Sequence, residues 1–85
     1  MKEISEEEAY HLAEGATEWP IVVKEEDERT ESAVALKIFP TGYLLGVSCD
    51  TEDLFKLYFS EDFCEISELC NKHLRTLRTK GNPFL

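Results

Sequence analysis

The residues of this chain with the most specific chemistry are its three cysteines and two histidines: Cys49, Cys64, Cys70, His11 and His73. They are the right types for a zinc site. Cys70 and His73 stand three apart, which puts them on one face of a helix, and Cys49 closes an apolar run that reads as a strand. Against a site, Cys64 lies roughly 120° round the helix from Cys70, and no CxxC knuckle exists. A second chemistry is nucleophilic, with Cys70 or Cys49 activated by His73 or His11 and one of many acids orienting the base. Nothing places either thiol at a strained turn or a helix N-terminus. Cys70 falls on the apolar stripe of its helix, where a thiol packs as a small hydrophobe and is inert. Eighteen acids make any carboxylate pair uninformative. The glycines, Gly15, Gly42, Gly46 and Gly81, are scattered and cannot form a phosphate-cradling loop. Glu25-Glu26-Asp27-Glu28 lacks the glycine and the trailing ligand of a calcium loop. The expectation is a protein that is not an enzyme, with no metal and no cofactor.

Charge is the stronger signal. The formal net charge is −9 over 85 residues, and it is segregated. Residues 1–31 carry eleven acids and three bases. Residues 69–85 carry no acid and four bases, Lys72, Arg75, Arg78 and Lys80. Such a field disfavours direct contact with nucleic acid or an anionic membrane and favours a basic protein partner. The run Glu25, Glu26, Asp27, Glu28 and Glu31 reads as an exposed acidic loop, with Trp19 the aromatic anchor nearest to it. The opposite charges of the first third and the last helix also permit pairing of two copies as a homodimer.

These residues need elements to hold them. Ser5 with Glu8 fits a capping box ahead of a short helix over 6–14, stopped by Gly15, with Ile4 set to staple against Ala9. Trp19 to Val23 reads as a strand opened by Pro20. Residues 32–39 alternate, with Val34, Leu36 and Ile38 on one face. Pro40-Thr41-Gly42 is a turn signal, Gly42 supplying a positive φ, and Tyr43 to Cys49 is the return strand. Asp50 to Asp53 is a second turn. Residues 54–59 fit a strand, with Phe55, Leu57 and Phe59 on one face, or a short helix; the aromatic content favours the strand. Ser60 caps a long amphipathic helix over 61–79, its stripe Phe63, Ile66, Cys70, Leu74 and Leu77, ended by Gly81-Asn82-Pro83.

The expected fold is therefore α+β, one domain over 1–85: a short N-terminal helix, a three- or four-stranded antiparallel meander, and a long C-terminal amphipathic helix packed as a two-layer sandwich. The first residues, Met1 to Glu8, lack the apolar stretch of a signal peptide, and no run approaches the ~18–20 apolar residues of a membrane span. An odd cysteine count without an export signal points to reduced thiols in the cytoplasm. In size and charge the chain resembles small acidic inhibitors and bacteriocin-type immunity proteins, a likeness of composition that carries over no residue. The expected function is that of a non-enzymatic binding protein that presents its acidic surface to a basic partner, inhibiting or neutralising it as an immunity-like protein or a mimic of nucleic-acid phosphates. The alternative is an assembly subunit that self-associates through a strand edge or through its apolar tail, Phe84-Leu85.

Overall fold

The structure is a computed structural model that describes residues 1–14 and 18–84. Its elements run β1 (Lys2–Ile4), α1 (Glu6–Leu12), β2 (Ile21–Asp27), β3 (Ser32–Phe39), β4 (Gly42–Cys49), a 3-10 turn (Asp50–Glu52), β5 (Leu54–Ser60) and α2 (Phe63–Lys80). The five strands form one antiparallel sheet in the order β1-β5-β4-β3-β2. The α+β architecture is as expected. The sheet gains β1, a three-residue strand whose residues the sequence offers only as a lead-in to the first helix.

The meander follows from alternation. Val34 pairs with Val47 and Leu36 with Leu45, so the middle of one face of β3 and β4 is apolar. Residues 54–59 are strand, and Leu57 and Phe59 fall opposite Gly46 and Leu44 on the other face. Pro40 and Thr41 form the hairpin loop between Phe39 and Gly42. Gly42 does not take the positive φ the sequence suggested. It is needed for close approach instead: a Cβ there would sit 2.6 Å from the Ser60 carbonyl oxygen and 2.7 Å from Phe59 Cζ.

Both helices are capped by their own side chains. The Ser5 hydroxyl accepts from the Glu8 amide at 3.1 Å, and the Glu8 carboxylate accepts from the Ser5 amide at 3.4 Å. That backbone hydrogen bond, with Lys2 nearby, holds the Glu8 carboxyl below its ordinary range. In α2 the cap is Asp62 rather than Ser60. Asp62 Oδ1 accepts from the amides of Cys64 (2.9 Å) and Glu65 (3.4 Å), while Ser60 still belongs to β5. A carboxylate satisfies two orphan donors at the positive helix end better than a hydroxyl would. Gly81, at φ 68°, ends α2 with its amide on the Leu77 carbonyl. Gly15, the expected stop of the first helix, lies outside the described residues.

Each face of the sheet carries its own core. On one, Ile66, Cys70, Leu74 and Leu77 of α2 cover Val34, Leu36, Leu45 and Val47, all of them buried. On the other, Ala9 and Ala13 from the α1 segment, with Ile4, cover Phe39, Leu44 and Leu57. α1 is short, so it covers only that end; Ala33, Ala35, Gly46 and Ser48 remain half-buried. The tail folds back. Pro83 is buried and Phe84 joins the α2-side core, while the His73 ring, set on Tyr58, donates from Nδ1 to the Pro83 carbonyl at 2.8 Å.

Candidate functional site

The sequence's acidic loop divides into strand and turn. Glu25, Glu26 and Asp27 are the last residues of β2, and only residues 28–31 form the turn. The three strand acids are already engaged. Glu25 accepts from Arg78 Nε at 3.1 and 2.9 Å and from its Nη2, which brings the basic last turn of α2 onto the acidic strand. That guanidinium, first by hydrogen bonding and then by charge, holds the Glu25 carboxyl below its ordinary value. Glu26 pairs with Lys24 at 3.1 Å. Asp27 accepts from the backbone amides of Arg29 (2.9 Å) and Thr30 (3.4 Å) and from the Arg29 side chain, which lowers its pKa too. Part of the charge segregation in the sequence is therefore cancelled within the fold.

Glu28 and Glu31 are exposed and enter no ion pair among the described residues. They are not alone. The turn between β2 and β3 lies against the 3-10 turn: the Asp50 amide donates to the Glu31 carbonyl at 3.0 Å, and the Thr51 hydroxyl donates to the Thr30 carbonyl at 2.9 Å. Asp50 and Asp53, likewise exposed and outside any ion pair among the described residues, thus join Glu28 and Glu31 at one end of the sheet.

This end is fixed by hydroxyls. The Thr30 hydroxyl donates to the Gly81 carbonyl at 2.6 Å. Its single proton is then used, so the Ser32 hydroxyl, 2.7 Å away and buried, donates to it. The buried Asn82 amide donates to the Glu52 carboxylate at 2.6 Å. Two turns and the C-terminus of α2 are locked together, and the exposed carboxylates ride on that frame. Two of them sit on left-handed backbone, Glu31 at φ 52° and Asp53 at φ 53°. That conformation costs a side-chain-bearing residue about 1–2 kcal/mol. Sequence reasoning found Glu28 and Glu31 but did not join Asp50 and Asp53 to them. The signal was present, since alternate turns of an antiparallel meander emerge at the same end of the sheet.

Trp19 does not accompany these acids. It packs on Phe39, ring centroids 5.4 Å apart, in the α1-side core near the other end, and its buried Nε1 has no hydrogen-bond partner among the described residues. The thiols are equally separate. Cys49 is buried beside Thr30 and Thr51, its thiol donating toward the Thr30 carbonyl at 3.7 Å. Cys70 is buried in α2, which pushes its thiol up, and Cys64 is exposed. Among the described residues no three His, Cys, Asp or Glu side chains converge as metal ligands. No helix there is long and apolar enough to cross a membrane.

One groove runs beside α2 from the end where that helix begins toward Arg78. It encloses about 390 Å³ between α2 and β2, its lining including Val22, Val23, Leu36, Phe63 and Leu74, with Arg78 where it approaches Glu25. Compared with protein-family models, curated proteins and solved structures, the chain gives no match.

Proposed function

We propose that this protein is a non-enzymatic binding module that docks the acidic end of its sheet on a basic surface of a partner protein and so occludes it. The observation that carries this reading is the pairing of two turns, which sets Glu28, Glu31, Asp50 and Asp53 side by side on a hydrogen-bonded frame. A backbone fixed before binding limits the conformational freedom lost on complex formation, and unpaired carboxylates attract a cation without first surrendering a partner. A reducing, cytoplasmic setting suits the three free thiols.

The test is capture from a lysate of the native host, washed through rising salt, with wild type beside a variant carrying Glu28→Gln, Glu31→Gln, Asp50→Asn and Asp53→Asn. Wild type retains a basic protein that elutes as salt screens the contact; the variant does not. A partner held equally by both overturns the reading.

Self-assembly is the second reading, and the strand edge favours it over the tail. Pro83 and Phe84 pack on their own core, and Leu85 lies outside the described residues. The bare edge of β2, with Ile21 and Val22 exposed, keeps the reading alive.

A further inference from the structure

β2, seven residues long, is the outermost strand on its side of the sheet, and among the described residues no strand pairs with its outer edge. Native edges of this kind are blunted by proline, bulges and charge. β2 has all three. Pro20 precedes it, the register shifts between Ile21 and Val23, and Lys24 to Asp27 are charged. The blunting is uneven. Regular pairing geometry persists from Val23 to Asp27, where β2 and β3 stay in register. The strand is also polarised: Ile21 and Val22 are 53% and 44% exposed at its start, and Glu25, Glu26 and Asp27 end it.

The groove adds a second, independent feature. α2 lies across β3, β4 and β5. Beside it, above β2, the apolar groove stays open, with Leu36 at its floor and Val22, Val23, Phe63 and Leu74 around it. A strand added outside β2 would run next to this hollow, and its side chains on the α2 side would lean toward it.

We infer that β2 accepts an extended basic segment of a partner protein as a sixth, antiparallel strand, with a long apolar side chain of that segment reaching into the groove beside α2. The inference rests on the basic-partner reading above and names the form that partner takes. Main-chain hydrogen bonds to the bare edge supply affinity, and alternate side chains supply specificity. Antiparallel addition fixes the order of the added residues. The first of them pass the unpaired Glu28 and then Asp27, Glu26 and Glu25, whose carboxylates are shared with Arg29, Lys24 and Arg78, and the later ones pass Val23 and Val22. Lysine or arginine must therefore come first and apolar residues second. A second copy of this chain fits worse. Two molecules of net charge −9 repel.

The experiment is a titration of the full, isotope-labelled chain, followed amide by amide by NMR. The probe is a short synthetic peptide of alternating Lys and Thr followed by Leu-Val-Leu; the control has the same residues in reverse order. The expected result is shifts centred on residues 21–27 with Phe63 and Leu74, slowed hydrogen exchange along β2, and binding about tenfold tighter for the forward peptide. Glu26→Lys, an exposed change whose own spectrum reports its fold, should weaken the forward peptide several-fold. Shifts confined to Glu28, Glu31, Asp50 and Asp53 overturn strand addition and leave the acidic-end reading standing. No shift at all overturns strand addition, while the acidic-end reading stands or falls by the capture experiment. Equal affinity for the two peptides overturns the antiparallel order. Concentration-dependent shifts of β2 without peptide make a second copy the occupant and overturn the proposal.

Discussion

At the end of the sheet where α2 finishes, hydroxyls, one buried amide and backbone groups hold two turns together; at the end where α2 begins, aromatic rings do that work. The first end contains Thr30, Ser32, Thr51 and Asn82. The second contains Trp19 on Phe39, Phe39 toward Phe59 (centroids 6.5 Å), and Tyr43 edge-on to Phe63 at 5.0 Å. Ring packing gives stability through buried apolar area. Directed hydrogen bonds fix geometry while leaving water access, so exposed carboxylates can stand on them at little cost. The molecule thus separates the part that holds it together from the part that is able to meet a charged partner.

The largest effect should come from breaking the aromatic end. Gly42→Ala drives a Cβ into the Ser60 carbonyl and the Phe59 ring. A loss of about 3 kcal/mol in chemical denaturation is expected, with the hairpin forced away from β5. Thr30→Val comes next. It keeps the shape, removes the bond to the Gly81 carbonyl and leaves the buried Ser32 hydroxyl without its acceptor. A loss of about 1–3 kcal/mol is expected, together with faster amide exchange in both turns and unchanged exchange around Phe39. Uniform exchange changes would show that the two ends are not separable. The smallest effect has the opposite sign. Glu31→Gly relieves a left-handed residue and should raise stability by about 0.5–1 kcal/mol while weakening capture of a basic partner. A variant that is more stable and binds as well as wild type would uncouple the strained carboxylates from binding.

Much of the fold was legible because local signals agree. The alternation of Val34, Leu36 and Ile38 and the stripe through Ile66, Cys70, Leu74 and Leu77 each name a face, and Gly81 has the conformation its position demands. What escaped was set by contacts distant in sequence. Lys2 to Ile4 carry no strand signal of their own; they are extended because β5 offers them an edge. Glu25 to Asp27 read as loop because they are charged, yet they pair with β3 while Arg78 and Arg29 meet two of their carboxylates. At the candidate site, Glu28 and Glu31 were visible as composition. Asp50 and Asp53 required topology, because only strand order says that two turns share an end.

β1 has a consequence for how the chain folds and how it fails. β2, β3, β4 and β5 are joined by short turns, so their pairing closes small loops and forms early. Lys2 opposite Phe59 closes about two thirds of the chain, and three residues of ladder repay that entropy only after β5 exists. β1 should therefore dock last in folding and fray first on warming. When it lifts, Leu57, Tyr58 and Phe59 lose their cover, and β5 becomes an unguarded aromatic edge that neighbouring molecules can template upon. The short first strand then acts as a cap on the β5 edge.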